Sequence, residues 1–80
     1  MNNDRSNFKL TEWQNLWYPI ASRKKGNTMI DECPYCGQKH NHGVGEGHRD
    51  AHCKDKKYLE KININGHVIT QDRGYFIEEY

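Results

Sequence analysis

Paired sulfur is the first thing this chain lacks. Its 80 residues hold three cysteines, an odd number that cannot close into disulfide pairs. That excludes the disulfide framework on which many secreted domains of this size rely. Hydrophobic residues are scarce at 34%, against 29% charged, and a core that small is marginal in so short a chain without an added staple. No apolar run approaches the roughly 20 residues of a membrane-spanning helix, and no signal-peptide pattern is visible. These absences point to a reducing, cytoplasmic setting with no membrane partner, in which cysteines bind metal. Excess charge is missing too. Twelve Lys+Arg against eleven Asp+Glu leave +1, which argues against tight non-specific DNA binding. Without repeats or low-complexity tracts, one domain over residues 1–80 is expected.

What is present is concentrated. All three cysteines and four of the five histidines lie between Cys33 and Cys53. Thiolate and imidazole are the ligands zinc prefers. In Cys33-Pro34-Tyr35-Cys36-Gly37 a tight turn aims two sulfurs at one point, and Gly37 allows the backbone amides to approach them. Cys53 is the natural third ligand. The fourth is open. His48, in a His-x4-Cys half-site with Cys53, ranks first. His42 ranks second. His52 is third and would give a Cys2His2 site without Cys53; His40 is last. The structural metal, Zn2+, would supply the stability the core lacks, with residues 33–53 as the metal-binding centre. Unused histidines are read as orienting groups around the ligands.

The flanks read as follows. Residues 1–7 are polar and expected to fray. Thr11-Glu12-Trp13-Gln14 fits a capping box, and Trp13, Leu16 and Trp17 then fall on one face of a short helix stopped by Pro19. Arg23-Lys24-Lys25-Gly26-Asn27 reads as a basic turn. Lys54-Asp55-Lys56-Lys57 reads as a charged link. The last third reads as β: Tyr58–Ile64, a turn at Asn65-Gly66, a return strand His67–Thr70, and a third strand Tyr75–Tyr80. The expected fold is a small α+β zinc-finger domain: an N-terminal helix, a zinc knuckle and a C-terminal β-hairpin or meander. An unpaired edge on the third strand would invite a homodimer.

With these motifs, Cys33–Cys53 resembles a group of small, mostly uncharacterised zinc-finger proteins of bacteriophages and actinobacteria. Their signature runs Cys-Pro-x-Cys-Gly, His-x-His-Gly, then Gly-His-Arg-x-Ala-His-Cys, often followed by a terminal strand that opens with Gly-Tyr, as Gly74-Tyr75 does here. The resemblance covers about a quarter of the chain. It implies that His42, His48, Arg49, His52 and Cys53 belong to the signature with Cys33 and Cys36. The Trp13/Trp17 segment lies outside it.

Four donors would close a tetrahedron and leave no open metal position, and Asn41-His42 with Glu46 is a poor copy of a His-Asn-His nuclease helix, so no enzymatic activity is expected. The expected function is binding. A protein or nucleoprotein target would meet Trp17, Arg49 or the acidic C-terminal strand. On the phage resemblance, the protein would be a small regulator or inhibitor that disables a host factor, anti-CRISPR activity included. The alternative is direct DNA or RNA binding through Arg23, Lys24, Lys25, Lys39, Arg49, Lys54, Lys56 and Lys57, with Tyr35 or Tyr58 stacking on a base.

Overall fold

The structure, a computed structural model, describes residues 4–53 and 58–80. Lys54, Lys56 and Lys57, named above as basic contacts, lie outside them. Six strands occur among the described residues: β1 (Leu10–Trp13), β2 (Leu16–Arg23), β3 (Gly47–Arg49), β4 (Lys61–Ile64), β5 (His67–Thr70) and β6 (Tyr75–Glu79). No α-helix is found there, only a 3-10 turn at Gln71–Arg73. The domain is therefore all-β, and the expected N-terminal helix is corrected to a β-hairpin.

The reason lies in residues 11–20. Gln14 and Asn15 both take positive φ, 51° and 65°, the two left-handed residues of a hairpin turn whose twist matches the flanking strands. Trp13 then pairs with Leu16 and Thr11 with Tyr18. β-branched and aromatic residues suit that pleated surface better than a helix. A six-residue helix carries its own nucleation cost and a cap contributes only about 1 kcal/mol, so the sheet wins. Pro19 is tolerated inside β2 because of its neighbours. Ile20 donates its N–H to the Lys9 carbonyl on the β1 side. Alternation turns the missing N–H of Pro19 toward β6, where pairing begins only at Ile20 opposite Phe76.

The four-stranded sheet has the order β1-β2-β6-β3, and β4-β5 form a separate two-stranded sheet. β4 and β5 are antiparallel and joined by Asn65-Gly66, both at positive φ. The chain then departs from a meander. β6 leaves the hairpin and inserts parallel to β2 on one side and antiparallel to β3 on the other. The third strand thus has a neighbour on each side and is not the unpaired edge expected from the sequence.

Gly74 makes that insertion possible. Its φ is 74°, and a Cβ there would collide with the Arg49 carbonyl. One face of β2 and β6, with Pro19, Ala21, Tyr75 and Ile77, packs on Ile62, Ile64 and Ile69 of the hairpin and on Ile30, Cys33, Tyr35 and Ala51. The other face carries a cluster of four rings. Phe76 lies 5.7 Å from Trp13, 5.1 Å from Tyr18 and 5.5 Å from His48, centroid to centroid.

Arg23 closes the core. Its side chain is fully buried, contrary to its expected place on a phosphate-facing basic turn. The guanidinium donates to the carbonyls of Gly43 and Gly45, each at 2.9 Å, and of His42 at 3.3 Å, and meets Glu79 at 3.4 Å. Arg49 holds the same loop from outside, donating to Val44 and Gly45 carbonyls at 3.3 and 3.2 Å. Lysine has no planar fork for several diverging acceptors. Arg23→Lys should therefore lower stability by about 2–4 kcal/mol through stranded carbonyls and a misplaced buried charge, read as a fall in the urea midpoint at unchanged slope.

Candidate metal centre

The turn at Cys33 is built by its own backbone. Gly37 N–H donates to the Cys33 carbonyl at 2.9 Å, with Gly37 at φ 77°. Tyr35 N–H points at the Cys33 sulfur at 3.4 Å. The chain then doubles back: Cys33 N–H reaches the Gln38 carbonyl, Ile30 N–H the His40 carbonyl, and His42 N–H the Thr28 carbonyl, at 2.9–3.0 Å. This return arm carries the fourth donor. His40 Nε2 lies 3.2 Å from Cys36 Sγ. Cys53 arrives from β3 through buried Ala51 and through His52, whose left-handed φ of 48° turns the chain. Its sulfur ends 3.6 Å from Cys33 Sγ.

Cys33, Cys36, His40 and Cys53 thus present four donor atoms, all within 4.8 Å of one another. The fit to a metal can be tested on those distances. Tetrahedral bonds of about 2.3 Å to sulfur and 2.0–2.1 Å to nitrogen require S···S of about 3.8 Å and S···N of about 3.6 Å. The observed 3.6 and 3.2 Å need only small adjustments. A Cys3His cluster that could hold a metal ion is therefore present.

The other histidines are engaged elsewhere. His48, ranked first from its spacing, pairs with Phe76 across β3 and β6; its Nε2 meets the Arg73 carbonyl at 2.8 Å and its ring packs on Trp13 and Tyr18. His42 shares a 2.6 Å hydrogen bond with the Tyr75 hydroxyl. His52 is exposed and 4.0 Å from Asp50. None of the three belongs to the cluster. Spacing along the chain singles out His48, but β3 directs its side chain away from the sulfurs. The signal for His40 is the hairpin: a knuckle that reverses the chain brings a residue three or four places beyond its second cysteine back alongside the sulfurs.

Electrostatics sharpen the picture. Burial pushes the Cys33 thiol far up, with the neighbouring sulfurs adding to the shift, and burial also raises Cys53. Burial and then Arg49 hold His42 below the usual imidazole range, while burial raises its partner Tyr75. Burial thus favours the thiol over the thiolate at Cys33 and Cys53.

Two outcomes follow. The protein should bind one equivalent of Co2+ with thiolate charge-transfer bands and the strong visible bands of a tetrahedral site. Single Cys33→Ala, Cys36→Ala, Cys53→Ala or His40→Ala variants should lose at least about 100-fold in affinity, since about 10–16 kcal/mol is shared among four ligands. His48→Ala should keep the spectrum. The second outcome concerns pH. A thiol raised by the fold stabilises the metal-free fold fully below the unfolded thiol pKa of about 8.5, and that contribution is lost as pH rises toward the raised value. The metal-loaded fold behaves oppositely: protons compete for the ligands, so metal affinity and stability fall as pH falls. Thermal melts of the two forms across pH should slope in opposite directions.

Compared with protein-family models, curated proteins and solved structures, the chain gives no significant match in any of the three, so the site is read from its own geometry.

Proposed function

We propose that the protein is a zinc-stabilised, non-enzymatic binding module that acts on a protein or nucleoprotein target. The metal assignment follows from the donor set: three thiolates and one imidazole are a common structural zinc shell, and four protein donors fill a tetrahedron without leaving a position for substrate. The phage-type regulator or inhibitor, anti-CRISPR or otherwise directed at a host factor, is the biological form this reading takes on the motif resemblance.

One observation carries the choice of a protein surface. Trp13, Leu16 and Trp17 stand at the end of the β1–β2 hairpin, exposed by 45, 45 and 36%. Both tryptophans are braced by neighbouring rings. Trp13 rests on the ring cluster, Trp17 lies 4.8 Å from the ring of His67, and the Trp17 carbonyl accepts from Arg73 at 3.2 Å. Rigid, half-exposed tryptophans are the usual anchors of protein interfaces, because little entropy is lost when they are covered. The electrostatic footprint for direct nucleic-acid binding is meanwhile reduced. Arg23 is buried and Arg49 is occupied by loop carbonyls. Lys24 and Lys25 remain exposed, on the turn after β2.

The test is an affinity capture from bacterial lysate, with and without nuclease, read by quantitative mass spectrometry and run in parallel with Trp17→Ala and Leu16→Ala proteins whose cobalt spectra are normal. A partner that survives nuclease and is depleted at least about tenfold by Trp17→Ala, the size of effect expected of an interface anchor, supports the reading. Capture that vanishes with nuclease, or that ignores both substitutions, overturns it in favour of nucleic acid or another face.

A further inference from the structure

One face of the four-stranded sheet packs on the core, and the other looks to solvent. Strand register puts Trp13, Leu16, Tyr18, Ile20 and Phe76 together on that outer face. They form one apolar strip that runs from the hairpin end across β2 to β6. Trp13 and Leu16 are exposed, and Ile20 and Phe76 are half-buried. Two open depressions of about 250 and 370 Å³ flank the strip, and Ile20 lines both. An apolar centre of this kind marks an interaction surface when polar groups rim it.

The rim decides which partner fits. Asp31 and Glu32 line the first depression, and Glu46 and Glu78 the second. Lys9 is the one lysine or arginine among the described residues of either lining. The chain as a whole carries twelve Lys+Arg against eleven Asp+Glu, so four acids to one base is a local excess. Among the described residues none of the four carboxylates forms an ion pair. Two are held in place by neutral donors: Glu46 accepts the Glu79 N–H at 2.8 Å, and Asp31 accepts the Tyr80 hydroxyl at 2.7 Å. Those bonds fix the carboxylates and leave their charge uncompensated. Lys24 and Lys25 follow β2 and line neither depression. Cys53 and Leu59, on either side of residues 54–57, pack against the core side of the sheet.

We propose that this outer face docks a basic segment of a partner protein. Arginine suits it best, because a guanidinium pairs with carboxylates and also packs on rings such as Phe76. Apolar side chains of the same segment would cover Ile20 and Leu16. Rings on an open sheet face can also stack bases, but here the rim carboxylates would repel phosphates where a nucleic-acid surface supplies cations. The proposal rests on the protein-partner reading above and names that partner's chemistry.

The test is a titration of the full, zinc-loaded, isotope-labelled chain followed by amide chemical shifts. The probe is the capped peptide Arg-Arg-Val-Val-Arg-Arg-Val-Val, which shows arginine and valine on both sides when extended. Versions with glutamine or glutamate for arginine, and a short oligouridylate, are run beside it. The arginine peptide should bind saturably, at least about fivefold tighter than the glutamine peptide, and weaken as salt rises. Its shifts should centre on Ile20, Phe76 and Glu78. Glu46→Gln with Glu78→Gln should weaken it about threefold or more. Glu60→Gln with Asp72→Asn removes the same charge elsewhere and should leave binding unchanged. The proposal is overturned if the arginine peptide does not bind, binds no better than the glutamine peptide, shifts another face, or responds equally to both double variants. The protein-partner reading would survive each of those results, since the lysate capture decides it. Oligouridylate binding on this face would overturn both. Shifts there that grow with protein concentration alone would assign the face to a second copy and overturn the proposal.

Discussion

Three thiols and an imidazole are folded to within 4.8 Å of one another beside the core, and the rest of the domain is arranged around that convergence. Burial favours the protonated form of Cys33 and Cys53. A dication reverses the balance, because thiolate binding to it outweighs both desolvation and mutual repulsion. Cys33 comes from the knuckle and Cys53 from the end of the loop that follows β3. A metal therefore ties two chain segments 20 residues apart and shortens what the unfolded chain can explore. In a chain that is one-third hydrophobic, that tie and the isoleucine cluster of β2, β6 and the β4–β5 hairpin do complementary work.

The second organising element is β6. As a late strand placed between β2 and β3, it joins the N-terminal hairpin to the loop that delivers Cys53. Its residues serve both faces. Tyr75 and Ile77 enter the core, and Tyr75 fixes His42 through its hydroxyl. Phe76 seats the ring cluster that supports Trp13. The glycine loop between the knuckle and β3 has few side chains with which to hold itself. Two arginines, one buried and one half-buried, hold it by its carbonyls instead. Arg23 and Arg49, which looked available to a partner, are instead engaged in holding this frame.

Two surfaces stand apart, and they are chemically distinct. The hairpin end exposes tryptophan and leucine. The cavity beside Cys36 and His40 is lined by amides, a lysine, a methionine and imidazoles among the described residues. The metal cluster supports the second directly and the first through the core and β6. In a domain of this size, a metal held at the cluster would stiffen both faces through one tie.

Much of the site was legible in the sequence because its chemistry is local. Cys33-Pro-Tyr-Cys36-Gly37 specifies its own turn, and the confinement of cysteine and histidine to residues 33–53 marks where a metal would sit. Asn65-Gly66 likewise encodes its turn through two residues that tolerate positive φ. What the sequence could not decide was set by partners distant along the chain. Trp13, Leu16 and Trp17 satisfy both helical and strand patterns, and the pairing of β2 with β6 selects the strand. The choice of His40 over His48 depends on which arm returns beside Cys36 and on the direction that β3 gives its side chains. The burial of Arg23 depends on carbonyls some 20 residues away. The sequence by itself determined that a Cys/His cluster would organise this chain, because ligand type and turn geometry are short-range properties. Only the tertiary structure decided which histidine completes it, which arginines are spent in the frame and which tryptophans face outward, because each of those is settled by competition among contacts that exist only once the strands are assembled.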